Sequence, residues 1–81
     1  MKVRVKLFAV AKDLAGADQI TVDLPNDATV SDVRAAIVAA HPALEQIVPC
    51  ALFAVGAEYA TPDTRLNERS EVAVIPPVSG G

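Results

Sequence analysis

Few residues of this 81-residue chain could do chemistry. His41 and Cys50 are each the only one of their kind. A nucleophilic cysteine needs a base beside it, and a zinc site needs several Cys or His ligands at short spacing; neither pattern occurs. His41 stands before Pro42, where a helix must stop, and reads as a structural residue near the negative end of a helix dipole. Cys50 lies between Pro49 and an apolar run and reads as a buried structural thiol. The acidic residues are scattered and make no carboxylate pair, and no glycine-rich phosphate loop occurs. What remains is the ending, Ile75-Pro76-Pro77-Val78-Ser79-Gly80-Gly81. Pro76 and Pro77 fix φ and favour a stiff, extended path away from the body of the protein. Val78 and Ser79 lead to Gly80 and Gly81, whose bare backbone can thread a channel too narrow for any other pair. A carboxylate on Gly81 is a poor electrophile until it is activated, usually as an acyl-adenylate. The expected chemistry is therefore done to the last residue by another enzyme, which brings the ATP and Mg²⁺; no bound cofactor and no metal site is expected in the chain itself.

Bulk properties narrow the setting. The length allows one domain with an adequate core. Apolar residues make up 52% of the chain, and 15 of them are alanine, so the core must rest on the 12 valines and on leucine and isoleucine. The net charge of −3 argues against sequence-independent nucleic-acid binding, which needs a basic surface. One cysteine suits a reducing cytoplasm. No signal peptide is read at Met1, and no apolar run approaches the roughly 18 residues of a membrane helix.

These groups must be positioned by a small set of elements. Residues 2–9 alternate, with Val3, Val5, Leu7 and Ala9 on one face and Lys2, Arg4, Lys6 and Phe8 on the other, as a half-buried strand requires. Residues 11–16 read as a connection with room for one helical turn, stopped by Gly16. Residues 19–24 alternate again, with Ile20, Val22 and Leu24 inward. Thr29 and Asp32 form an acidic capping box for a helix carrying Val30, Val33, Ile37 and Ala40, which Pro42 ends. Residues 43–48 fit a short helical turn. Residues 51–55 and 71–75 read as strands, with a short extended piece at 58–60 between them. Leu66 points inward and residues 67–70 turn.

Strand, strand, helix, strand, short strand, strand is the order of an α+β domain: the β-grasp, or ubiquitin-like, mixed sheet with one main crossover helix. The expected division is a β-grasp domain over 1–75 and a flexible Gly-Gly tail over 76–81. In this arrangement the first and last strands lie parallel at the centre of the sheet. Val72 and Val74 then point inward, so Phe8, Ala73 and Ile75 should share an exposed apolar patch beside the tail, with the aromatic at its centre.

With these residues in view, the chain resembles the small, sulfur-carrying subunits of molybdopterin synthase, the MoaD-like branch of the β-grasp sulfur carriers. The resemblance spans essentially the whole chain. It rests on Lys6-Leu7-Phe8-Ala9, Ala15-Gly16, Thr29-Val30 with Asp32-Val33, Asp63-Thr64-Arg65-Leu66 and, most specifically, Glu71 to Gly81 with its paired prolines. It implies that Gly81 is adenylated by a ubiquitin-activating-like adenylyltransferase and converted by a sulfur donor enzyme to a thiocarboxylate. The tail (Pro76, Pro77, Val78, Ser79, Gly80) would then enter the large synthase subunit and give sulfur to a cyclic pterin precursor, within a heterotetramer. It also implies that Phe8, Tyr59 and Ile75 belong to the partner surface, and that the small subunit donates sulfur without being catalytic itself. The chain departs from that pattern twice. Gly56 stands where Asn is usual, and Glu68-Arg69-Ser70 replaces Asp-Gly-Asp, which would cost about 1 kcal/mol if Arg69 kept a left-handed backbone, so the turn is expected to change shape. A carrier for another sulfur pathway, such as thiamine or cysteine, and a ubiquitin-like protein modifier are the alternatives.

Overall fold

The computed structural model describes residues 1–77; Val78, Ser79, Gly80 and Gly81, on which most of the tail reading falls, lie outside the described residues. The elements run β1 (Lys2–Leu7), α1 (Ala9–Ala15), β2 (Gln19–Asp23), α2 (Val30–Ala40), 3₁₀ turns at Pro42–Leu44 and Val48–Cys50, β3 (Leu52–Val55), β4 (Glu58–Tyr59) and β5 (Glu71–Ile75). One sheet forms in the order β2-β1-β5-β3-β4. β1 pairs parallel with β5, Leu7 against Val74, and every other pairing is antiparallel. This is the β-grasp arrangement that the element order implies.

Alternation in the sequence becomes layering in the fold. Val3, Val5, Leu7, Ile20, Val22, Val72, Val74 and Phe53 turn to one face and are buried against Val30, Val33 and Ile37 of α2. Leu44, Val48 and Leu66 close the edges of this core. Each such side chain contributes on the order of 1.5–3 kcal/mol by leaving water. Arg34 ties α2 to β3: its guanidinium lies 5.6 Å from the centre of the Phe53 ring. Phe53 is thereby held inward, so its neighbours Leu52 and Ala54 must face out.

The start of α2 shows why two distant sequence stretches belong together. The first N–H groups of a helix have no partner within it. Here the Thr29 N–H donates to Asp32 Oδ2 at 2.9 Å, the capping box expected from the spacing. The Val30 and Ser31 N–H groups donate to the carbonyls of Thr64 and Pro62, at 3.0 and 3.1 Å. The Leu66 N–H reaches Ala28 O at 2.8 Å. The Asp63-Thr64-Arg65-Leu66 stretch is thus the external cap of α2. Asp32→Ala is expected to cost about 1 kcal/mol, through the lost acceptor and the lost negative charge at the helix start. A urea midpoint unchanged from that of the parent protein would show that the loop carbonyls alone suffice.

Three details differ from the sequence reading, and one departure resolves as expected. The first strand stops at Leu7, and the connection is a two-turn helix, α1, capped by left-handed Gly16 at φ 71°. Only Ala11 of α1 is buried, so its apolar signal is too thin to read. Cys50 is exposed, not buried; the tight turn at Val48–Cys50 sends Val48 into the core and Cys50 out of it. Arg69 bears out the expected change of turn shape: it avoids the left-handed region, where among the described residues only Ala9 and Asp27 stand outside glycine. Its N–H instead donates to the Asn67 side chain at 2.8 Å, within a turn closed by Ser70 N–H to Asn67 O. Pro76 is buried, so the packed head runs one residue past the expected 1–75 boundary, and Pro77 is the first exposed residue of the tail stretch.

Ala9 carries the backbone strain that Arg69 escapes, with φ at 52°. A Cβ in that region costs roughly 1–2 kcal/mol, while glycine adds about 0.5–1 kcal/mol of unfolded-chain entropy. Ala9→Gly is therefore expected to stabilise the fold by up to about 1 kcal/mol, read as a raised urea midpoint at constant m-value. A clear loss of stability would mean that the Ala9 methyl contributes more by packing than its backbone loses by strain.

Candidate functional site

The candidate site is the outer face of the sheet, opposite α2, together with the chain as it leaves β5. Cross-strand partners share a face, so the register lists its members directly. One row crosses all five strands: Tyr59, Ala54, Ala73, Lys6 and Gln19. The next row toward the exit pairs Leu52 with Ile75. The row on the other side pairs Glu71 with Arg4 and Arg4 with Thr21. The face therefore grades from charged, over β1 and β2, to apolar, over β5, β3 and β4. Its apolar end is the end at which the chain passes into Pro76 and Pro77.

Leu52 is 56% exposed and Tyr59 74%, while Ala54, Ala73 and Ile75 are half-buried between them. Two large apolar side chains open to water on one strand pair form a surface that a partner could dehydrate. Of the residues expected here, Tyr59 and Ile75 lie on this patch. Phe8 is 47% exposed and lies on the β1 side of the patch, one residue past the Leu7–Val74 pair. It follows β1 as the residue before α1, still in extended backbone at φ −126°. There it lines a hollow of about 360 Å³ with Lys6, Lys12, Asp18 and Gln19, on the β2 side. Leu52 and Ala54 escape the sequence reading because Ala-Leu-Phe-Ala-Val is apolar at every position and shows no alternation. The inward Phe53 is the signal that assigns them.

The remaining chemical groups do not gather. His41 closes α2, its N–H bonded to Ile37 O at 2.7 Å, far in sequence and in the fold from the patch. Among the described residues no three His, Cys, Asp or Glu side chains converge on a point that could hold a metal ion. No helix among them is long and apolar enough to cross a membrane. Gly80 and Gly81 lie outside the described residues, so their place relative to the patch is given only by the direction in which β5 exits.

Comparison with known proteins agrees with this fold. A model of the ThiS family matches residues 5–81. A molybdopterin synthase sulfur carrier subunit from Chlamydomonas reinhardtii is 40% identical over the whole of both chains. One from Arabidopsis thaliana is 35% identical over all of this chain and 84% of its own. The crystal structure of small archaeal modifier protein 1 from Haloferax volcanii superimposes with a TM-score of 0.90, at 35% identity and full coverage of both chains. With a family match over residues 5–81 and full-length likeness to sulfur carrier subunits, the chain belongs to the ThiS family of β-grasp proteins.

Proposed function

We propose that this chain is the sulfur carrier subunit of a molybdopterin synthase. The observation that carries the reading is the 40% identity to such a subunit across the whole of both chains, a match that takes in Gly80 and Gly81. The head supplies a recognition surface at its apolar exit end, and the last residue supplies the cargo site. An adenylyltransferase of the ubiquitin-activating kind joins the Gly81 carboxylate to AMP, using ATP and Mg²⁺ that it binds itself. A sulfur donor then displaces AMP and leaves a thiocarboxylate. Sulfur is a softer and better nucleophile than oxygen, so the loaded tail attacks where a carboxylate would not. Its target is the cyclic pterin precursor held by the large subunit, onto which Leu52, Tyr59 and Ile75, with Phe8 at the margin, dock. The expected setting is the cytoplasm, with two small subunits in a heterotetramer.

A second reading has an observation of its own. The 0.90 superposition on small archaeal modifier protein 1 fits a protein joined through Gly81 to lysines of other proteins. The same activated glycine serves both outcomes; only the nucleophile differs, sulfur or amine. Intact mass spectrometry of the chain purified from its own host separates them. A fraction with one sulfur in place of one oxygen at the C-terminus, and co-purification of a larger synthase subunit, support the carrier. Higher-mass conjugates carrying an isopeptide bond support the modifier. Free carboxylate alone, at every sulfur supply, with no conjugates, sinks both.

A further inference from the structure

The chain leaves β5 between two flanking strands. Ile75 pairs with Leu52 of β3. On the other side Leu7 pairs with Val74, so Phe8, the next residue, flanks Ile75 from the end of β1. A protein that takes the tail into its own site must border both flanks. The apolar rows offer it Leu52, Ala54, Tyr59, Ala73 and Ile75. A stable interface draws on about 20–30 residues a side, so the footprint spreads to the neighbours of this exit.

On the β1 side those neighbours wall the hollow of about 360 Å³. Local hydrogen bonds build it. The Leu7 N–H donates to Asp18 O at 2.9 Å, and the register then sets Gln19 across from Lys6. After the left-handed Ala9 the chain turns back into α1, whose Ala11 and Lys12 N–H groups donate to Phe8 O at 3.1 and 3.4 Å. Lys12 is thus carried one helical turn past Phe8, onto the wall of the hollow that Lys6 also lines.

The three cations of β1 differ in what stands beside them. Lys2 is paired with Asp23, Nζ to Oδ1 at 3.6 Å. Arg4 lies across from Glu71. Lys6 lies between Gln19 and Ala73, and neither carries a charge. Asp18 is the one acid on the wall of the hollow, and it bridges to neither lysine; among the described residues the one salt bridge is Lys2 with Asp23. Two lysines against one aspartate leave a positive spot beside the exit, on a chain whose net charge is −3.

We infer that Lys6 and Lys12 receive an acidic side chain of the large synthase subunit at the rim of its footprint, and that the two lysines steer that subunit onto the exit of the chain from β5. The inference rests on the function proposed above, which supplies the partner. Glutamate or aspartate suits the hollow: its methylene stem lies against Phe8, and its carboxylate meets the two ammonium groups. Both lysines are exposed, so water screens the pair and it acts on the rate of encounter more than on residence. The net negative charge of the chain repels an acidic partner at long range, so the local spot decides where approach succeeds.

The test measures association of the full chain with the large subunit from the same host, by stopped flow, as salt rises. The screening length falls from about 10 Å at 0.1 M to about 3 Å at 1 M. Association of the parent is expected to slow about tenfold over that range. Lys6→Gln and Lys12→Gln should each lower the low-salt rate about threefold. The double variant should lose most of the salt dependence, while dissociation changes less than about twofold. Lys2→Gln removes the same charge at the far end of β1 and should alter the slope much less. Equal slopes in the parent and the double variant would overturn the inference and leave the large subunit as the partner. So would an equal effect of Lys2→Gln, which would assign the steering to net charge alone. So would association of the parent that quickens with salt, which would mark a repelling face. No binding of the parent at any salt would remove the partner itself, and with it both the carrier reading and this inference.

Discussion

Deleting Gly81 is expected to yield a protein that folds as the parent does and carries no sulfur. Among the described residues the last buried side chains are Val74 and Pro76, and Pro77 beyond them is exposed. Removing the last residue should therefore change stability by no more than about 0.5 kcal/mol, the range of surface substitutions. The chemical loss should be complete. Without Gly81 the terminal carboxylate moves back one residue, by roughly 3.3–3.6 Å of extended chain. Catalytic groups tolerate far less than that, and a misplacement of even about 1 Å can cost on the order of a hundredfold in rate. Thermal unfolding and intact mass measured on the same preparation give both halves of the result. A deleted chain that still acquires sulfur, now on Gly80, would show that the activating site measures the tail loosely and would remove Gly81 from its assigned role. A deleted chain that melts far below the parent would show that the tail stabilises the head.

The sequence carried the head of this protein well and its working surface only in part, for physical reasons. Alternation at residues 2–7, 19–23 and 71–75 exists because those strands bury one face under α2, so their register and facing could be read directly. Thr29 and Asp32 announce the start of α2 because a helix end must satisfy its own N–H groups. The β3 segment gives no such signal. Both its faces are apolar, one for the core at Phe53 and one at Leu52 and Ala54 for the exposed patch. Alternation disappears where both faces of a strand are apolar. α1 is hidden for the opposite reason: it buries one alanine, and its start at Ala9 needs a left-handed backbone that no propensity favours. Cys50 departs from its expected burial because a proline beside an apolar run suggests burial, while a 3₁₀ turn sends residues two apart to different sides.

That loss of alternation makes Leu52 the position from which the partner surface is best tested. Leu52→Asp is expected to weaken binding to the large synthase subunit by about 2–4 kcal/mol, a factor on the order of a hundred, as central apolar anchors do. The cost arises twice: the contact is lost, and a carboxylate must shed its water against an apolar partner. The free protein should lose little, since Leu52 is already 56% exposed; the unfavourable β-propensity of aspartate sets a limit of about 1 kcal/mol. Phe8→Asp should weaken binding less, because Phe8 lies at the margin beside Lys6 and Lys12, where an added carboxylate finds cations. Glu45→Ala, on an exposed turn away from the face, should leave binding unchanged. Titration of each variant against the large subunit by calorimetry, alongside melts of the free chains, gives the order directly. If Phe8→Asp proves the more damaging of the two, the partner sits over the β1–β2 hollow and the apolar rows over β3 and β4 lie at its rim. If Leu52→Asp instead melts far below the parent, Leu52 belongs to the packing of the head, and the outward assignment drawn from Phe53 fails.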